Sequence, residues 1–82
     1  MYKNRANGRN NLVGENVKRL RKNLKGTVSQ KDFAEMLQRA GIDIDKNAVG
    51  RIETGKRFVI DIELKAIANL FNITCDELLE NQ

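Results

Sequence analysis

Apolar residues in this chain recur at intervals of three and four, and each run is bracketed by residues that start or stop helices. That pattern predicts a set of short amphipathic helices. Val13, Val17, Leu20 and Leu24 make the first stripe, with Lys18, Arg19, Arg21, Lys22 and Lys25 on the other face and Gly26 as the stop. Ser29 can cap a second helix, Asp32 can reach back to it, and Phe33, Ala34, Leu37 and Ala40 form its inward stripe before Gly41. After Ile42-Asp43-Ile44, Asp45 caps a third helix with Val49 and Ile52 inward, ended by Thr54-Gly55. A loop over residues 56–60 leads to Asp61 as the cap of a fourth helix, with Leu64, Ile67, Ala68 and Phe71 inward. Thr74-Cys75-Asp76-Glu77 has the capping-box form and opens a fifth helix carrying Leu78 and Leu79. Proline is absent, and no alternating segment between turn signals suggests a strand. The expectation is an all-α fold, a compact five-helix domain over residues 12–82. Residues 1–11 lack apolar periodicity and read as a flexible basic N-terminal tail.

At 82 residues there is room for one domain, whose small core must be well patterned. A chain 40% hydrophobic and 32% charged can build such a core. No apolar run approaches the ~18–20 residues of a membrane span, and the Asn-rich, basic start is unlike a signal peptide, so no membrane partner is expected. Cys75 has no second cysteine to pair with, which fits a reducing, cytoplasmic setting.

The side-chain inventory also removes chemistry. With no His, one Ser and one Cys, the chain lacks a complete Ser-His-Asp or Cys-His constellation and any His-ligated zinc site. No enzymatic activity, metal or cofactor is expected. Residues 50–56 match the letters of a phosphate-binding loop, but Arg57 stands where Ser or Thr should hold magnesium and no strand precedes it. Residues 43–47 resemble the start of a calcium loop, but Ala48 and Thr54 replace the required Gly and Glu. Asn72-Ile73-Thr74 spells a glycosylation sequon that needs a secretion signal to be used. Cys75, just after a helix cap, reads as a small packing residue.

Charge is distributed unevenly. Residues 1–27 hold eight Lys/Arg against Glu15, whereas residues 58–82 hold Lys65 against five acids. A basic front and an acidic back suit a molecule that presents one face to a polyanion.

The string GENVKRLRKNL…VSQKDFAEML…NAVGRIETGKR…ELKAIANLFNITCDELL resembles the helix-turn-helix family of phage repressors, Cro proteins and restriction controllers, over about residues 12–80. The pieces that carry the resemblance are Ser29-Gln30, Phe33-Ala34, Arg51-Ile52-Glu53 with Gly55, Ala68 and Phe71, and Asp76-Glu77-Leu78-Leu79. It implies a lambda-repressor-like DNA-binding domain with the motif at helices 2 and 3. Residues 38–44 make the connection roughly five residues longer than the usual short turn, which predicts an extra turn on helix 2 and a longer link.

In this motif the second helix enters the major groove with its N-terminal residues against base edges. With Val49 and Ile52 turned inward, Lys46, Asn47, Gly50 and Arg51 share the outer face of helix 45–54 and are the candidate base readers. Gly50, costly inside a helix, would suit close approach to DNA. Ser29, Gln30 and Lys31 at the start of helix 2, and Lys56 and Arg57 after helix 3, are the candidate phosphate contacts. The resemblance implies a structural salt bridge between Arg21 and Glu53. Arg5 or Arg9 could enter a minor groove, although a tail without a role is the simpler expectation. Phe58, Val59 and Ile60, with Leu78 and Leu79, are the candidate dimer surface, because specific occupancy by one small helix usually needs two copies on a two-fold site. The expected partner is double-stranded DNA and the expected activity transcriptional regulation, as a repressor. The alternative is an antitoxin-like module that binds an unidentified protein partner as well as DNA.

Overall fold

The computed structural model describes residues 8–80. Among them are five helices: α1 (Gly14–Lys22), α2 (Gln30–Arg39), α3 (Lys46–Glu53), α4 (Asp61–Leu70) and α5 (Cys75–Leu79). α3 packs on both α1 and α2, α4 packs on α2 and α5, and α5 also touches α1. The two helices at its back, α1 and α2, thus hold α3 with one side turned outward.

The helix starts follow from their caps. The Ser29 hydroxyl accepts the Asp32 N–H at 3.0 Å, and the Asp32 carboxylate accepts the Ser29 N–H at 3.1 Å. Asp45 accepts the Ala48 N–H at 2.8 Å, and Thr74 and Glu77 form a second reciprocal box. These bonds satisfy N–H groups that have no partner inside the helix. Asp61 behaves differently from its expected role. It is the first helical residue, Ile60 takes the extended cap position, and the Glu63 carboxylate accepts the Ile60 N–H at 3.2 Å.

α1 ends at Lys22, short of Leu24, in a tightened turn in which Leu24 bonds back to the Arg21 carbonyl at 3.2 Å. α2 ends at Arg39, and Ala40, assigned to the inward stripe, is its exposed C-terminal cap. The connection over residues 40–45 is anchored twice. Ile44 is buried in the core, and Gln38 Nε2 donates to the Ile44 carbonyl at 2.8 Å.

The core is made by the helical stripes: Val13 and Val17 from α1, Phe33, Ala34 and Leu37 from α2, Val49 and Ile52 from α3, Ile67 and Ala68 from α4. Phe33 stacks on Phe71 with ring centroids 5.2 Å apart. Leu78 is fully buried and completes this core. It therefore cannot lie on a dimer surface, which corrects its assignment there. A five-residue helix has too little period to tell which of two adjacent leucines turns inward.

Part of the segment read as a tail is tied to the domain. Asn11 Oδ1 accepts the N–H groups of Val13 and Gly14, while its Nδ2 donates to the carbonyls of Ile52 and Arg57. Arg9 also bonds to the last residue of α3 and Asn10 to the chain just beyond it. A polar segment can be fixed by main-chain hydrogen bonds without any apolar pattern. Residues 1–7, including Arg5, lie outside the described residues.

One half-buried pair has a consequence for stability. Arg57 donates two hydrogen bonds to Glu63, at 2.8 and 3.0 Å, and these bonds hold the Glu63 carboxyl below its ordinary range despite its burial. The ionised carboxylate therefore contributes stability above the ordinary Glu range of about 4.3, and that contribution is lost as pH falls through the lower folded value. Urea midpoints are expected to drop on going from pH 5 to pH 3. Glu63→Gln is expected to lower the midpoint at pH 7 and to shrink the acid-dependent drop.

Candidate nucleic-acid interface

Helix α3 is eight residues long, and Val49 and Ile52 turn into the core with almost no exposure. At about 100° per residue, the side opposite them carries Lys46, Asn47, Gly50 and Arg51. Lys46, Asn47 and Arg51 are exposed, and Gly50 is half-buried. They line an open concavity of about 410 Å³ together with Gln30, Thr54 and Lys56. Residues 16 to 26 positions apart in the chain thus meet on one surface that offers amide, hydroxyl and cationic donors. Thr54 was not singled out from the sequence, because it reads there only as a helix stop.

Behind this surface sits a buried charge pair. Arg21 and Glu53 are 8% and 5% exposed, with Arg21 Nε donating to Glu53 Oε2 at 2.7 Å and Nη2 to Oε1 at 3.1 Å. Arg21 Nη1 also donates to the Val28 carbonyl at 2.8 Å. The carboxylate's hydrogen bond raises the Arg21 pKa further, so the buried guanidinium stays charged.

Gln30 joins that pair to the outer surface. Its Nε2 donates to Glu53 Oε1 at 3.0 Å, which holds the side chain across α3. There it lies over Gly50: a Cβ at position 50 would stand 3.4 Å from Gln30 Oε1. That is ordinary van der Waals contact, so an alanine would fit beside Gln30. Gly50→Ala is expected to stabilise the free protein by up to about 1 kcal/mol through helix propensity. The thermal midpoint should rise by several degrees, while affinity for a specific duplex falls because the new methyl stands on the outer side of α3 beside Lys46, Asn47 and Arg51.

The remaining candidates separate. Lys56 is exposed at the edge of the concavity, free to meet a phosphate. Arg57 is not: both ends of its guanidinium are held by Glu63, and a third bond goes to the Phe58 carbonyl at 3.1 Å. Its assignment as a phosphate contact is corrected to a brace between the loop and α4. Glu63 could not be found from sequence, since a spacing of six residues matches no helical face. At the start of α2, Ser29 and Lys31 are exposed but do not line the concavity. The Asp32 carboxylate, held below its ordinary pKa by the hydrogen bonds from Ser29, already places an anion at that helix end.

The geometry is a protruding helix with a polar, cationic outer side, held against a second helix whose N-terminus meets it. A helix-turn-helix family model matches residues 17–78, from the middle of α1 into α5. The chain belongs to the Cro/C1-type helix-turn-helix family. The helix-turn-helix pair is α2 and α3, and the domain is a DNA-binding domain of the kind that regulates transcription. Comparison with curated proteins and with solved structures gives no match. Among the described residues of this helix-turn-helix domain, no group of His, Cys, Asp or Glu could hold a metal ion, and no helix is long and apolar enough to cross a membrane.

Proposed function

We propose that the chain is a sequence-specific repressor that reads double-stranded DNA through α3. The observation that carries this reading is the shared concavity of Gln30, Lys46, Asn47, Gly50, Arg51 and Lys56 on the outer side of α3. Asn47 can bond both N6 and N7 of adenine, and Lys46 or Arg51 can bond O6 and N7 of guanine. Gln30 and Lys56 set the helix on the backbone. A domain of this size that occupies an operator blocks access to it, which is the simplest route from binding to regulation, and the setting is the cytoplasm.

Two copies occupy a two-fold site, with half-sites about 34 Å apart. What supports a second copy is apolar surface away from α3. Leu12, Phe58, Ile60 and Ile62 are exposed, and Leu12, Val59, Leu64 and Leu79 line a groove of about 170 Å³. Exposed apolar patches mark interaction sites. The same surface is where an antitoxin-like domain would take a protein partner. Sedimentation of the free chain and of its DNA complex distinguishes the two: two chains per specific duplex are expected, and one chain at saturation rules the homodimer out.

Equilibrium binding tests the interface residue by residue. Lys56→Ala is expected to weaken specific and random duplexes alike and to reduce the slope of log affinity against log salt by about 0.9 per subunit. A changed base preference in that variant would contradict its role on the backbone.

A further inference from the structure

The end of α3 is held by the segment that precedes α1. Arg9 Nη2 donates to the Glu53 carbonyl at 2.7 Å, the last residue of α3. The Asn10 N–H donates to the Gly55 carbonyl at 2.7 Å and Asn10 Nδ2 to the Lys56 carbonyl at 2.9 Å. Asn11 Nδ2 adds bonds to the Ile52 and Arg57 carbonyls at 3.0 and 2.8 Å. Three consecutive residues thus engage the main chain at positions 52, 53, 55, 56 and 57, more than forty residues away. The last carbonyls of any helix need partners, but water supplies those without fixing where the helix points. Here the turn after α3 supplies N–H donors to the carbonyls of Gly50, Arg51 and Ile52. One short segment adds the Asn10 N–H and the side chains of Arg9, Asn10 and Asn11, and a cation stands at the negative end of the helix dipole.

Space has been left for this segment. Gly55 has φ +83°, and a Cβ there would come within 2.6 Å of Arg9 Nε, so the Arg9 side chain passes directly over the glycine at the helix end. Lys56, next in the chain, lines the concavity that faces outward.

We infer that Arg9, Asn10 and Asn11 are positioning residues for DNA recognition, a clamp that sets the direction of α3 and the place of Lys56. The inference rests on the reading of α3 as the DNA-reading helix. The clamp touches no base. It acts by fixing the C-terminal end of α3, since the helix is short and a small rotation about that end would carry Lys46 and Asn47 off their base edges.

The test uses the full chain and two variants, Asn10→Ala and Arg9→Ala, with Arg9→Lys as the conservative partner. Asn10→Ala leaves net charge and the start of α1 untouched. Each is measured, where circular dichroism shows it folded, against the duplex preferred by the wild type and against a random duplex of equal length. Asn10→Ala and Arg9→Ala are expected to lower affinity for the preferred duplex by about tenfold. Random-duplex affinity should stay within about twofold, because phosphate contacts supply it. Arg9→Lys should recover part of the loss, and amide exchange at residues 54–57 should quicken in both alanine variants. An unchanged ratio of preferred to random affinity in the folded variants overturns the clamp while leaving α3 as the reader. Equal loss on both duplexes also overturns it, since Arg9 would then be a phosphate contact. A wild-type chain with no preferred duplex overturns the reading on which the inference rests.

Discussion

Glu53→Ala is expected to lower the unfolding free energy by about 3–5 kcal/mol, the usual effect of removing one partner from a buried ion pair. Glu53 accepts from Arg21 Nε, Arg21 Nη2 and Gln30 Nε2. Without it, Arg21 keeps only the Val28 carbonyl as a partner while remaining buried. For a domain whose total stability is about 5–15 kcal/mol, such a loss leaves a substantial unfolded fraction near 37 °C. Urea unfolding followed by circular dichroism measures it, and a loss under about 1 kcal/mol would mean that water reaches Arg21 freely. The double variant Arg21→Met with Glu53→Leu should behave otherwise. Exchanging a whole buried pair for apolar side chains is often neutral or stabilising. Yet Gln30 would lose its anchor, so specific DNA affinity should still fall. Stability and recognition are thus separable at this one pair.

Gly14→Ala is expected to cost about 2–4 kcal/mol, at or beyond the upper end of ordinary overpacking. A Cβ at Gly14 would run into the carbonyl oxygen of Ile52 and stand 2.7 Å from Arg9 Nη2. The obstruction is backbone, which cannot rotate away, so the start of α1 and the end of α3 must separate. The same substitution at Gly50 meets only the end of the flexible Gln30 side chain. Two glycine-to-alanine changes in one small domain should therefore move thermal stability in opposite directions. A stabilised Gly14→Ala variant would contradict the close contact of α1 with α3.

What could be read from the sequence was whatever repeats or acts locally. Val49 and Ile52 announced the inward side of α3 by spacing alone, and that fixed Lys46, Asn47 and Arg51 outward. Ser29, Asp45 and Thr74 marked helix starts because a cap acts over three residues. Interactions between distant polar residues left no such trace. Arg57 looked like a free cation because nothing in its neighbourhood points to Glu63. Residues 9–11 looked like tail because a clamp of main-chain hydrogen bonds has no period. Even there one local signal existed: Asn11 stands just before the first stripe, where a helix-starting residue belongs. Gly50 was read as space for DNA, and Gln30 lying beside it could not be seen without knowing how α2 crosses α3.

The central claim is that α3 reads base sequence, and parallel selection of bound sites from random duplexes tests it most directly. The wild-type chain and Asn47→Ala are selected side by side under one salt condition. The wild type should enrich a motif with two related half-sites about 34 Å apart. Asn47→Ala should return the same motif with one position relaxed in each half-site, at a discrimination loss of about 1–3 kcal/mol. Two identical motifs, or no motif from the wild type, would contradict the account.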